Sequence, residues 1–262
     1  MPYSPRDLKP GEFACSVLVI SWGKGDPHKD AITLVYLDEA GRLRDHTKID
    51  NLYDQDNLDE FQFLLDRRKP EVAVVGGFSI ATLKLRQRVK EILQGSTSAD
   101  GWGSNSRSFD IPVIYAHDDV ARIYQHSKRA AQEFSALSPI AKYCVGLARY
   151  VQSPLNEFAA LGPDITAISF DEDNQNLVRQ SASLFNLSDI VEQVPKDKLL
   201  FSLEQALVDI TNQVGVDINR AITDPYYEQL LPFVCGLGPR KADVLIKKIT
   251  SQVGNMTAFE EL

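Results

Sequence analysis

A nearly continuous apolar run at Cys15–Ser21 limits how this chain can fold, because such a run is typical of a strand buried on both faces. A second strand is predicted at Ala31–Asp38, and the turn at residues 39–42 leads into a third at Leu43–Ile49. The third strand alternates Leu43, Asp45 and Thr47 with Arg44, His46 and Lys48. Three consecutive strands joined by short connections predict an antiparallel meander.

Helices and strands then alternate. Helices are expected at Asn57–Arg68, from Ser79 onward and at Asp118–Ser127, and strands at Val72–Val75 and Ile111–Tyr115. The order β-β-β-α-β-α-β-α is typical of the RNase H-like fold. The fold class is therefore α/β, with a mixed five-stranded sheet and helices on both faces.

Beyond Pro139 the pattern becomes helical throughout. The predicted helices are Ile140–Val151, Pro154–Leu161, Leu199–Val214, Pro225–Cys235 and Pro239–Ile249. The expected division is an N-terminal extension at 1–11, the α/β domain at 12–152, a helical connector at 153–198 and an all-α segment at 199–262. Residues 95–110, rich in Gly, Ser and Asn, are predicted to form a long loop of unassigned role.

The composition excludes several classes of protein. The net charge of −8 argues against tight binding of duplex DNA, so any nucleic-acid contact has to be local and weak. Three widely spaced cysteines, Cys15, Cys144 and Cys235, indicate a reducing compartment rather than a disulfide framework. The sequence predicts no membrane span and no secretory signal.

Four stretches carry a resemblance to a known family: Val17–Gly23, Asp118–Ala130, Tyr143–Gly162 and Val214–Ile249. Together they resemble the core of the eukaryotic transcription elongation factors and histone chaperones known as suppressor of Ty six, which are related to bacterial Tex. The resemblance implies a YqgF-type RNase H-like domain followed by a helix-hairpin-helix domain. It also implies a nuclear location, with the RNA polymerase II elongation complex and histones as partners. Because proteins of that family are much longer, we expect a fragment that is truncated within its last domain. We also expect this fragment to be monomeric.

Three positions decide whether the RNase H-like domain can cleave nucleic acid. Nucleases of this fold hold two metal ions between carboxylates at the ends of strands. Here Ser21 stands at the end of the first strand and Gly76–Gly77 at the end of the fourth, while Asp118 after the fifth is the one vestigial acid. We therefore expect a pseudonuclease with no metal, no cofactor and no catalytic residue, in which Asp118 serves as a helix N-cap or as a first-turn acid that complements the helix dipole. The alternative is a metal-dependent nuclease in which Asp26 or Asp30 replaces the lost acid.

The segment Gly236–Ala242 has the glycine and alanine spacing of a helix-hairpin-helix turn. The following helix would present backbone N–H groups to a phosphate, and the predicted nucleic-acid-binding residues are Gly236, Gly238, Arg240, Lys241 and Lys247. The other interpretation is a hairpin that only packs helices. Basic residues of the helix around Lys84–Lys90 more often form a solvated face than a binding groove.

These observations favour a non-catalytic scaffold of an elongation factor, with weak contact to DNA or RNA through the hairpin. A dedicated nucleic-acid-binding module is the second alternative, and it predicts a steep dependence of affinity on salt.

Overall fold

The computed structural model describes residues 3–8, 12–22, 31–76, 80–95, 108–162, 164, 196–224 and 226–260. Its five-stranded sheet has the order β3-β2-β1-β4-β5. The strands are β1 (Val17–Ser21), β2 (Ile32–Leu37), β3 (Leu43–Ile49), β4 (Val72–Gly76) and β5 (Val113–Ala116). The first three strands pair antiparallel, whereas β4 and β5 add in parallel, which confirms the predicted mixed sheet.

Burial explains the sequence pattern of the strands. Strands β1 and β2 are buried at every residue, as their apolar runs predict, while β3 at the margin of the sheet alternates partly buried and exposed side chains. Strand β5 begins two residues later than predicted. Pro112 precedes it, and a proline has no N–H to donate to a ladder.

Helices α1 (Gln55–Arg68) and α2 (Ile80–Leu93) cover one face of the sheet. Their buried side chains, such as Phe61 and Val89, form one core with Leu18 and Ile20 of β1. Helix α1 ends at Lys69, which adopts a left-handed φ of 47° just before Pro70. The predicted N-cap of α2, Ser79, lies outside the described residues.

The opposite face is covered by α5 (Pro139–Gln152), which packs on β1 and β2 and contacts α3 (Asp119–Tyr124). The helix predicted at 118–127 is observed as α3, which ends at Tyr124, and Ser127 caps a further helix, α4 (Lys128–Glu133), that was not predicted. The Ser127 side chain accepts a hydrogen bond of 3.0 Å from the N–H of Ala130.

The N-terminal segment at residues 3–8 is attached to this domain by specific contacts. The N–H of Tyr3 donates to the carbonyl of Val151, and its carbonyl accepts from the Cys15 thiol. The guanidinium of Arg6 binds the carboxylates of Glu12 and Glu71.

Chain contacts divide the molecule into two compact units, residues 1–154 and 155–262. The helices among the described residues of the second unit are α6 (Pro154–Leu161), α7 (Lys196–Val214), α8 (Ile218–Thr223), a 3₁₀ helix at Tyr227–Phe233 and α9 (Gly238–Glu260). Ala221, Leu231 and Ala242 form its small buried core. Most of the predicted connector at 153–198 and of the predicted loop at 95–110 lies outside the described residues.

One helical prediction in the second unit was wrong, and another was confirmed with a less buried apolar face than expected. The segment predicted as a helix at Pro225–Cys235 forms a short 3₁₀ helix instead, and Pro232 inside it cannot donate the N–H that an α-helix would require. The predicted apolar face of α7 is only partly buried, because Leu207 is covered while Ile210 and Val214 are 45% and 71% exposed. No described helix is long and apolar enough to cross a bilayer.

Candidate functional site

The carboxyl ends of three parallel strands meet at one edge of the sheet. Ile20 of β1 lies beside Val75 of β4, and Gly76 of β4 lies beside Ala116 of β5. The sheet therefore brings Ser21 and Gly76 to the same edge, and Asp118 follows two residues after β5. These are the positions that sequence reasoning assigned to the metal-binding acids of a nuclease.

Asp118 is buried, and two side chains donate hydrogen bonds to its carboxylate. Its Oδ2 accepts a hydrogen bond of 2.8 Å from Nε of Arg122 and one of 3.0 Å from the hydroxyl of Tyr143. Asp118 stands at the N-cap position of α3, but its side chain makes no hydrogen bond to a backbone N–H, so the predicted hydrogen-bonding cap was wrong. The reason is that the carboxylate is turned toward the two side-chain donors. The role of Asp118 as an acid that complements the helix dipole stays a prediction.

These contacts define the electrostatics around Asp118. Burial lowers the pKa of Arg122, but the attraction of Asp118 outweighs it and leaves that pKa raised. Burial, reinforced by the neighbouring carboxylate, holds the pKa of Tyr143 well above its usual value, so its hydroxyl remains a proton donor at neutral pH. Asp119 is also affected, since burial and the charge of Asp118 raise its pKa.

Gly76 has no room for a side chain. A Cβ at this position would overlap the hydroxyl oxygen of Tyr143 and would lie 2.5 Å from Cδ2 of Leu147. Both atoms belong to α5. A carboxylate at position 76 would therefore require the side chains of Tyr143 and Leu147 to shift.

Ser21 is closed off by the same helix. It is buried at the end of β1 and hydrogen-bonded to the thiol of Cys144, which is itself fully buried. Burial raises the pKa of Cys144 far above that of an ordinary thiol, so it stays protonated. Tyr143, Cys144 and Leu147 of α5 thus fill the space between the strand ends, and we call these three residues the α5 plug.

Sequence reasoning did not identify the α5 plug. Tyr143 and Cys144 stand in one of the stretches that carry the family resemblance, but helical spacing indicates only that they face inward. Within the described residues, no group of three or more His, Cys, Asp or Glu side chains is arranged to hold a metal ion. Asp26 and Asp30, the proposed substitutes, lie outside those residues.

The hairpin has the backbone geometry that its glycines predict. Gly236 and Gly238 adopt φ values of +83° and +64°, which disfavour residues with a Cβ. Leu237 between them packs against the small core of the second unit, and Ala242 belongs to that core. The hairpin therefore reverses the chain at the start of α9.

The basic residues predicted to bind nucleic acid differ in their surroundings. Arg240 and Lys247 are exposed on α9. Lys241 is exposed too, but its ammonium group donates to the carbonyl of Gly236 at 2.9 Å and so closes the hairpin itself.

Two arginines of α2 have structural partners. Nε of Arg86 donates to the carbonyl of Val113 while its guanidinium lies over the Tyr115 ring, and Arg88 donates to the carbonyl of Leu52. Because these two guanidinium groups already have partners within the protein, fewer positive side chains of α2 are available to bind an external phosphate.

The mixed sheet and the hairpin together define a class of protein, an RNase H-like domain of the YqgF type followed by a helix-hairpin-helix motif. Comparison with known proteins agrees. Residues 12–162 match the family described as Holliday-junction resolvase-like of SPT6, and residues 179–262 match a helix-hairpin-helix motif family. The chain belongs to the SPT6 YqgF family.

Curated relatives are all similar over a small part of their length. "Transcription elongation factor spt6" of Schizosaccharomyces pombe is 40% identical over 263 residues, which cover 100% of this chain and 17% of the relative. The Gibberella zeae protein of that name is 39% identical, covering 100% of this chain and 18% of the relative. The Saccharomyces cerevisiae protein is 35% identical, covering 86% of this chain and 14% of the relative. The chain thus spans less than a fifth of the length of these relatives.

Proposed function

We propose that this chain is a non-catalytic scaffold within a nuclear transcription elongation factor, and that its hairpin makes weak contact with nucleic acid. One observation carries the first part: the α5 plug occupies the space between Ser21, Gly76 and Asp118 where two metal ions would have to bind. A single carboxylate that already binds Arg122 and Tyr143 is a poor ligand for hydrated divalent ions, which require several oxygen ligands.

A working nuclease, the alternative, would cleave nucleic acid in the presence of a divalent metal ion, whereas our proposal predicts the opposite. We expect no cleavage of single strands, duplexes or four-way junctions in Mg²⁺ or Mn²⁺. We also expect no saturable Mn²⁺ binding below about 1 mM, measured by electron paramagnetic resonance. Metal-dependent cleavage that disappears in Asp118→Ala would overturn the proposal. Cleavage that persists in Asp118→Ala would indicate a contaminating nuclease.

The hairpin supports the second part of the proposal. Positive φ values at Gly236 and Gly238 lead into the N-terminus of α9, where backbone N–H groups carry partial positive charge, and Arg240 and Lys247 are exposed beyond it. Contacts of this kind bind the phosphate backbone and do not distinguish sequences.

A salt titration of duplex binding tests this contact. We expect measurable affinity at about 50 mM salt that is lost by about 200 mM, because few phosphates are engaged and the chain carries a net charge of −8. Arg240→Glu with Lys247→Glu should abolish binding. Lys84→Glu with Lys128→Glu, which makes the same charge change at exposed residues of the first unit, should not. Equal loss in both variants would mean that only net charge matters.

The role in elongation is proposed from the relatives, which are named transcription elongation factors. For this chain we propose that the complete factor acts with RNA polymerase II and histones, with this part as a rigid core. Pull-down of purified RNA polymerase II and of histone H3–H4 by the full-length factor, compared with a factor lacking residues 12–260, tests that role. Unchanged recovery of both partners would argue against it.

A further inference from the structure

Strand β3 carries a row of basic side chains at one margin of the sheet. Arg44, His46 and Lys48 are exposed at every second position, and Arg42 precedes them by the same two-residue step. We call these four residues the basic row. Because successive side chains of a strand point to opposite faces, the three strand residues share one face.

Acidic residues nearby leave most of the basic row unneutralised. Asp45 and Thr47 point to the opposite face. There Asp45 binds Nε of Arg68 at 3.1 Å and Thr47 donates to Glu60 of α1. Asp38 pairs with Arg44 at 2.5 Å, so this arginine is partly compensated. His46 and Lys48 remain the exposed centre and end of the row, on a chain that is acidic overall.

The backbone of β3 is also accessible along most of one edge. Within the described residues β3 pairs with β2 alone, so its other edge has no strand partner. The N-terminal end of β3 cannot pair with an added strand. There Nη2 of Arg68 donates to the carbonyl of Arg44 at 3.0 Å, and the register with β2 shifts at Tyr36/Leu37. Residues 45–49 remain as an edge to which another strand can add.

The spacing of the charges identifies the kind of partner. An added peptide strand has the same two-residue repeat of about 6.8 Å, so that carboxylates at every second residue would lie directly opposite the basic row. Single-stranded nucleic acid, in contrast, is usually bound through aromatic stacking platforms, and β3 contains no Phe, Tyr or Trp.

We propose that β3 binds an extended acidic peptide, which adds to the sheet as a further strand and sets its alternate carboxylates against the basic row. The edge supplies backbone hydrogen bonds, and the row supplies the selectivity for charge. The basic row shares no residue with the hairpin, so the proposal does not depend on the nucleic-acid contact.

Fluorescence anisotropy with a labelled eight-residue peptide of alternating Glu and Thr tests the proposal. We expect saturable binding to the chain at about 50 mM salt. Affinity should be about tenfold weaker for Arg42→Glu with Lys48→Glu and unchanged for the charge-matched control Lys84→Glu with Lys128→Glu. A peptide of the same composition with its four Glu residues clustered at one end should bind more weakly. Hydrogen exchange on the unaltered chain should slow at residues 45–49 when the alternating peptide is bound.

Several results would overturn the proposal. They are no binding up to about 1 mM peptide, equal affinity for the alternating and clustered peptides, or no added protection at residues 45–49. Displacement of the peptide by a lower concentration of a twelve-nucleotide oligothymidylate would assign the surface to nucleic acid instead. Because the exchange measurement needs no substitution, the result does not depend on whether the charge-reversed variant folds.

Discussion

Tyr143 has two roles at the scale of single residues. Its hydroxyl fills the space above Gly76 and donates to Asp118, so that one side chain both blocks a position for an acid and binds the acid that remains. The sequence itself indicated the loss at Ser21 and Gly76, because a missing carboxylate is visible in the residue type. It could not identify Tyr143, since the contact joins residues far apart in the chain.

The contact between Gly76 and Tyr143 can be tested by a double-mutant cycle. We expect Gly76→Ala to lower the free energy of unfolding by about 1–3 kcal/mol through overpacking, and Tyr143→Phe to lower it by about 1 kcal/mol through the lost hydrogen bond. The double variant should lose less than the sum, because removing the hydroxyl makes room for the methyl group. Urea denaturation gives these values, and Tyr53→Phe at an exposed ring serves as the control. Additive losses would show that the two residues do not interact.

The boundary between α3 and α4 shows how a side chain defines elements. The helix predicted at 118–127 ends earlier, at Tyr124, and Ser127 then accepts from the N–H of Ala130 and donates to the carbonyl of Tyr124. Both bonds turn the chain and begin α4. Helix α4 was not predicted from the sequence.

Removal of the Ser127 cap should lower the stability of the fold. We expect Ser127→Ala to lower the free energy of unfolding by about 1–2 kcal/mol, because it leaves a buried N–H without its acceptor. Asp54→Ala is the matched control, since Asp54 occupies the N-cap of α1 without a side-chain cap bond. Thermal unfolding of both variants measures the difference. A loss for Asp54→Ala as large as that for Ser127→Ala would contradict this account.

Across the whole molecule, exposed basic side chains are concentrated in a few places, and several ionisable thiols and phenols are buried. The chain has a net charge of −8, yet basic side chains line the exposed margin at β3 and the surface of α9. Two thiols and two phenols lie in the interior of the first unit, where burial raises the pKa of Cys15 to about 11 and also raises those of Cys144, Tyr124 and Tyr143. These groups therefore keep their protons to a higher pH in the folded chain than in the unfolded chain.

The stability of the molecule should therefore fall in alkali. Above pH 9 the unfolded chain loses thiol protons that the folded chain keeps, so each buried thiol should reduce the free energy of unfolding by up to about 1.4 kcal/mol per pH unit. For Cys15 this decrease ends near pH 11, and below pH 9 neither thiol contributes to the pH dependence. Urea denaturation between pH 7 and 10.5 measures the slope. Cys144→Ala should reduce the slope without abolishing it, because Cys15 still contributes.

The sequence by itself determined the mixed five-stranded sheet, the order of strands and helices along the chain and the hairpin. Apolar runs, two-residue alternation and glycine spacing are local properties, and they record whether each segment is buried and where the chain must turn. It also revealed that Ser21 and Gly76 are not carboxylates. Only the tertiary structure decided what fills their place, because α5 reaches β1 and β4 from a distant part of the chain. The same holds for the partners of Asp118 and for the exposed margin of β3, since contacts and accessibility depend on which elements pack together.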